Sequence, residues 1–260
     1  MIKGNVKFWA KTEFSISSFD EYIQTISKLK NHFTDDLILF RGQTCNKPLR
    51  PSLGRKEILE TGENIKDFEK EIFDDFKKRY IAYSKVKCDN NWDLLALAQH
   101  HGLPTRLMDW TESALVALWF ATEREDEEVG VVFILIPEKT DILDVTQKET
   151  GDVFSRKATK FFCPNHISER ITAQSGWFSC HVINSNNAFF KLESMSKYKN
   201  KLKKITIKKN IFPEIRSKLN LMGINGSTVY PDLVGLSKYL KWKHLKIDDN
   251  KLFREDPEDH

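Results

Sequence analysis

Cysteine is scarce. Cys45, Cys88, Cys163 and Cys180 are scattered without the spacing of a disulfide framework, which reads as a reduced, cytosolic protein rather than a stapled secreted one. Long apolar runs are missing too. Nothing is long enough to span a bilayer, and the opening MIKGNVKFWAK has no apolar secretion core, so no membrane partner is expected. Charge of one sign is nearly balanced: 41 basic against 37 acidic residues leave +4, a bias too weak to argue by itself for nucleic acid. The chain has no Walker motif, Gly-x-Ser-x-Gly elbow, His-Glu-x-x-His or dinucleotide glycine fingerprint. It also has no internal repeat, flexible linker or low-complexity block. Cys163 and His166 with Cys180 and His181 have a zinc-like composition. Adjacent residues point to opposite faces of a strand, however, and no metal is expected. Aromatics are plentiful, with 18 Phe and 6 Trp in 260 residues, enough for a sizeable core. We read one domain over 1–247 and a charged tail over 248–260.

The most informative stretch is Leu94 to Thr122, LLALAQHHGLPTRLMDWTESALVALWFAT. It predicts an apolar helix capped by Asn91 and ended by Gly102 and Pro104, then a tight polar turn. A second helix follows, with Asp109 as N-cap and Glu112 at the capping-box position. From Trp110 on, that helix is apolar nearly all round and is therefore buried. Gln99, His100, Thr105, Arg106, Asp109 and Thr111 gather at its start, where free N–H groups suit an anion. The competing reading is that these polar groups only cap and staple the turn.

Along the rest of the chain, Asn5–Trp9 reads as an edge strand, and a helix starts at Ser17 or Ser18. Asp36–Phe40 reads as a strand buried on both faces. It delivers Arg41 to the end of the sheet, and Gly42 permits a turn or close approach to a ligand. Arg41 either meets a phosphate or carboxylate or pairs internally with Asp109; Arg50 and Arg55 nearby favour an anion. Ile65–Tyr83 is an amphipathic helix whose Glu71 lies off the centre of the apolar stripe, either as a solvated charge or as a partner for Arg50 or Arg55. The buried helix ends near Glu123, and Val129–Ile136 is a central strand beside the Arg41 strand. Asp141–Arg156 reads as an exposed loop and Trp177–Val182 as a strand. Ala188–Leu192 and Lys204–Ile207 pair, with KYKNKLKK between them as a solvated hairpin tip, the place for nucleic acid to touch. A helix over Phe212–Leu221 ends at Gly223, Asn225–Ser227 turns, and Pro231 at N1 opens a last helix through Trp242.

The run QHHGLPTRLMDW resembles the FRG domain, a family named after a Phe-Arg-Gly motif. The resemblance continues at Phe40-Arg41-Gly42-Gln43, Leu49-Arg50-Pro51-Ser52-Leu53, Arg170-Ile171-Thr172-Ala173-Gln174-Ser175-Gly176 and Val229-Tyr230-Pro231-Asp232-Leu233, from about Ser17 to Leu240. A more distant resemblance links the chain to ADP-ribosyltransferases. It implies an α+β domain with a split, mixed β core flanked by helices, a basic residue at the end of the first core strand, and NAD as substrate. Arg41 matches that placement, and Trp119-Phe120-Ala121 is similar to a helix end of that family.

The resemblance implies catalytic roles for Arg41, Gln174 and Glu169. It implies ligand contacts from Arg41, Gly42, Gln43, Gln99, His100, Thr105, Arg106, Asp109 and Thr111. The family's late-strand Glu-x-Glu or Gln-x-Glu is absent, and Gln174, Glu169 and Glu214 are its only substitutes. The expected function is an NAD-dependent ADP-ribosyltransferase-like effector, or NAD glycohydrolase, acting on nucleic acid or protein. The family type places it in a phage-defence or toxin setting with an inhibitory partner protein. The alternative is a non-catalytic module that binds a nucleotide, nucleic acid or phosphorylated partner through Arg41, Arg50, Arg106 and His100. A nuclease would need metal carboxylates from Asp109, Glu112 and Asp232.

Overall fold

The computed structural model describes residues 11–245 apart from 34–35, 63, 85, 125–127, 145, 147, 149–150 and 166–171. The expected Asn5–Trp9 strand and the tail from Asp248 lie outside the described residues. Architecture starts from β4, Val129–Leu135, whose run VGVVFIL is buried from Gly130 onward, as a strand covered on both faces must be. It is flanked by β2, Leu39–Gln43, and β7, Leu202–Lys208, both antiparallel to it. With β1 (Glu13–Ile16), β3 (Leu107–Thr111), β5 (Lys160–Phe162) and β6 (Gly176–Cys180), these form one seven-stranded sheet in the order β1-β7-β4-β2-β3-β6-β5. The β1–β7 pair is parallel, so the sheet is mixed and the fold is α+β, as expected.

Helices flank the sheet. They are α1 (Phe19–His32), α2 (Lys56–Leu59), α3 (Ile65–Arg79), α4 (Asn91–His100), α5 (Ala114–Thr122), α6 (Phe212–Leu221), α7 (Gly226–Val229) and α8 (Leu233–Leu245). On one face Phe40, Val132, Ile134 and Ile205 meet α1, α5 and α6. On the other, Leu39, Val131, Phe133 and Leu135 meet Met108, Trp110, Phe161 and Tyr198. A third cluster joins α3 and α4 to Leu107, Phe162 and Phe178. Helix α5 lies unusually close to the sheet. A Cβ on Gly42 would stand 2.0 Å from the Ala117 carbonyl oxygen, and one on Gly130 2.0 Å from that of Ala121. Gly42 therefore serves helix–sheet contact and lies within the strand rather than in a turn.

Several expectations need correction. The first core strand starts at Leu39 rather than Asp36 and runs through Arg41 and Gly42. The polar turn of the central stretch is itself β3: Gly102 ends α4 with φ 89°, but Leu107–Thr111 then pairs with β6 along its length. Asp109 thus caps nothing. Ser113 caps α5 by accepting from the Val116 amide, and Glu112 accepts from the Trp177 indole. Asn90, not Asn91, caps α4.

Residues 141–156 are no exposed loop, because Asp141, Leu143, Lys148 and Val153 are buried. Nor is KYKNKLKK a hairpin tip. Tyr198 is buried with its hydroxyl on Asp141 Oδ2, and Leu202 already belongs to β7. Ala188–Leu192 supplies only an isolated Ile183–Phe189 bridge, while β7 pairs with β4 and β1 instead. Asn225–Ser227 opens α7 through a capping box with Thr228. Pro231 precedes α8, where Asp232 accepts from the Gly235 amide. Among the described residues no helix is long and apolar enough to cross a membrane.

Candidate functional site

β2 pairs with β4 over five residues but with β3 only through Phe40 and Thr111. Beyond that pair the two strands lack ladder contacts, and the Arg41 guanidinium bridges them. Its Nη1 donates to the Asp109 carbonyl oxygen at 2.8 Å and lies 3.6 Å from Asp109 Oδ2. Its Nε donates to Gln43 Oε1 at 3.4 Å. Of the two readings of Arg41, the pair with Asp109 is present. Burial works against the Arg41 charge, Asp109 supports it, and Arg55 adds repulsion. The Asp109 side chain is 61% exposed. Its Oδ1 accepts from Gln99 Nε2 at 2.7 Å, Gln99 Oε1 accepts from the Thr105 hydroxyl, and Thr105 Oγ1 accepts from the Leu107 amide. A chain of donors and acceptors thus runs from the base of β3 to a solvent-facing carboxylate and fixes its aim.

A cavity of about 330 Å³ opens at this point. Seven of the expected residues line it: Arg41, Gly42, Gln99, His100, Asp109, Thr111 and Gln174. Phe40, Trp110, Phe120 and Tyr230 complete the wall. Gln174 donates to the Val229 carbonyl oxygen at 3.0 Å and its own carbonyl accepts from the Thr111 hydroxyl at 2.5 Å. It therefore ties β3 to the segment that carries Tyr230.

Three expected residues lie off the cavity. Gln43 donates to the Lys47 carbonyl and accepts from Arg41. Thr105 is fully buried in the relay. Arg106, expected to meet a ligand, is instead buried against Glu69. Its amide, Nε and Nη2 reach the two carboxylate oxygens at 2.7 to 2.8 Å, and its guanidinium sits 5.0 Å from the Phe154 ring centroid. Burial pushes the Glu69 carboxyl upward against the pull of Arg106. Glu169 and Arg170 lie outside the described residues. Glu214 pairs with Lys218 on α6, Arg50, Arg55 and Glu71 are exposed, and no metal-binding group occurs among the described residues.

Two features escaped the sequence. Glu69 occupies the position between Ile65 and Phe73 at four-residue spacing, on the apolar stripe of α3. A carboxylate on a buried stripe demands a cation, and that spacing is the signal. The second feature is a buried chain behind Arg41. Trp110 Nε1 donates to Ser179 Oγ at 2.8 Å, and Ser179 Oγ shares a 2.8 Å hydrogen bond with His181 Nε2. Burial, helped by the Arg41 charge, pushes His181 down to about 3. It is a neutral core histidine with no sequence signature. Burial raises Cys88 to about 11 and Cys180 to about 12 and lifts Cys163 as well, which disfavours these three as thiolate nucleophiles.

Residues 36–129 match the family model described as the FRG domain. The match takes in every cavity residue from Phe40 to Phe120, while Gln174 and Tyr230 come from outside it. It is narrower than the expected span of Ser17 to Leu240. No curated protein and no solved structure matches the chain.

Proposed function

With an FRG domain at residues 36–129 as the premise, we propose that the cavity at the β2–β3 gap binds NAD and cleaves its nicotinamide–ribose bond, in the manner of an ADP-ribosyltransferase or NAD glycohydrolase. One observation carries this reading. A single cavity holds a cation, an aimed and solvent-facing carboxylate, two primary amides and aromatic rings. Arg41 and Asp109 balance each other in charge, so the cavity suits a polar, positively charged ring better than a bare phosphate. Gln99 and Gln174 supply amide edges for a carboxamide, and Tyr230 and Phe120 supply ring faces.

When the C1′–N bond breaks, its electron pair goes to the nicotinamide ring and cancels the ring's charge. The sugar is left as an oxocarbenium ion. Asp109 stands as the carboxylate that steadies this ion, in place of the absent late-strand glutamate. Water, or an acceptor hydroxyl on nucleic acid or protein, then bonds to C1′ and gives its proton to Asp109.

A second reading has its own support. Arg41 and Asp109 already satisfy each other, as in a binding module that recognises a nucleotide without turning it over. Nicotinamide release and thermal melting with NAD separate the two. The enzyme reading expects release by the parent, loss of release in Asp109→Asn, and a ligand-dependent rise in melting temperature in both. A melting shift without release leaves the binding module. Neither release nor shift overturns both.

A further inference from the structure

Helix α8 carries two apolar stripes, and the body of the molecule covers one of them. Gly235, Tyr239 and Trp242 follow at i, i+4 and i+7 and so share a face. Gly235 is buried, and a Cβ on it would stand 2.0 Å from the Tyr230 carbonyl oxygen. Tyr239 and Trp242 line a cavity of about 210 Å³ with Trp119 of α5. Leu233, Leu236 and Leu240, at i, i+3 and i+7, form the second stripe. They are 80%, 42% and 42% exposed. We propose that this outer stripe is a homodimer interface, on which α8 of a second copy lies antiparallel. The proposal does not depend on what the cavity at the β2–β3 gap binds.

The first argument is the weak hold of the body on α8. The helix has 13 residues, and Gly235 is its only buried one. A helix of this length is marginal in water and takes its stability from packing. Its inner stripe offers a glycine and two half-buried rings. The outer leucines add nothing while they face water. Against a second copy they leave it together, which is the ordinary driving force of association.

The second argument is self-complementarity, which a two-fold interface requires because one surface must fit itself. In an antiparallel pair centred on residue 238, Leu236 meets Leu240 of the second copy, and Leu240 meets its Leu236. Charge chooses the direction. Asp232 stands before the helix and Lys243 eleven residues later, about three turns on and therefore on the same flank of the stripe. Antiparallel packing sets each Asp232 beside Lys243 of the other copy, once at either end. Parallel packing would set Asp on Asp and Lys on Lys. Both residues are exposed. Asp232 Oδ1 accepts from the Gly235 amide at 2.7 Å. Lys243 has no ion pair among the described residues, and its Nζ stands 5.8 Å from the Tyr239 ring centroid. Antiparallel helices also set their dipoles head to tail.

Area sets the strength. One pair of short helices is a small contact beside the roughly 1,200 Å² at the low end of standard complexes. The dimer is therefore weak and concentration-dependent.

The test is sedimentation velocity of the full chain from micromolar to millimolar protein. The parent should pass from monomer to dimer over this range. Leu236→Glu and Leu240→Glu should stay monomeric throughout, and at micromolar protein they should melt with the parent. Lys243→Asp leaves the leucines in place and sets an acid against Asp232 of the other copy, so it should weaken the dimer about tenfold. Adding Asp232→Asn, which keeps an acceptor for the Gly235 amide, should restore most of that loss.

A parent that is monomeric at every concentration overturns the proposal. If Leu236→Glu then also melts below the parent, a segment of the same chain covers the stripe; if it melts with the parent, the stripe stays open to water. A dimer that survives both glutamate substitutions and Lys243→Asp unchanged uses another surface and overturns the proposal as well.

Discussion

Two arginine–carboxylate pairs sit within one short segment of chain, and they should behave in opposite ways. Arg106 and Glu69 are both buried, at 4% and 1% side-chain exposure. Removing one partner strands a charge in the interior, so Arg106→Ala should destabilise by about 3 to 5 kcal/mol, measured by urea unfolding. Asp109 in the Arg41 pair is 61% exposed, and its loss leaves Arg41 still bonded to the backbone carbonyl of residue 109. Asp109→Ala should therefore cost less than about 1 kcal/mol. A large loss there would mean that the carboxylate is structural after all.

His181 gives a pH signature. Its folded value of about 3 lies below the ordinary histidine value of 6.5, so between these two values the unfolded chain binds a proton that the folded chain refuses. Stability must then fall as pH drops from 6.5 toward 3, by a few kcal/mol in all. The carboxylates add their own slope in this range. The discriminating quantity is the difference: His181→Gln should lose less stability than the parent between pH 6.5 and 4, and equal slopes would place His181 in contact with solvent.

Among the elements, α5 adds a close backbone contact with the sheet to its side-chain packing. The missing Cβ of Gly42 leaves space that the Ala117 carbonyl, the Ala121 amide and Phe120 Cβ occupy, and none of these can swing aside. Gly42→Ala should cost about 3 kcal/mol or more, seen as a drop in the urea midpoint. Gly102 makes the contrast: nothing lies within 4 Å of its absent Cβ and only its φ of 89° resists a side chain, so Gly102→Ala should cost about 1 kcal/mol.

The same elements show what could be read from residues alone. β4 and α5 were legible because continuous apolar runs leave one solution, burial on all sides. β3 was not. LMDWT is too short for alternation to speak, and Asp109 three residues before Glu112 imitates a capping box. The true cap, Ser113, lies just beyond. The site was legible as composition, since seven expected residues line one cavity. The Arg41–Asp109 pair was one of two readings open from residues alone, but Arg106 facing Glu69 inward was not legible, because only long-range pairing reveals it.

At the scale of the whole molecule, the sheet places its weakest internal joint, the single Phe40–Thr111 pair between β2 and β3, beside the Arg41–Asp109 cavity. Segments far apart in sequence meet there: β2, the end of α4, β3, α5, Gln174 and Tyr230. The buried pairs hold this meeting point from behind. Lys148 and Asn165 bind Asp93 at the start of α4, and Arg106 binds Glu69 of α3. The geometry of the gap is thereby set before any ligand arrives.

The most direct test is a crystal of the full chain soaked with a non-hydrolysable NAD analogue. Density for the nicotinamide ring against Tyr230, with Asp109 at the ribose and Arg41 still bridging β2 and β3, is the expected result. A fully occupied analogue bound away from the β2–β3 gap, or an empty gap at saturating analogue, would contradict it.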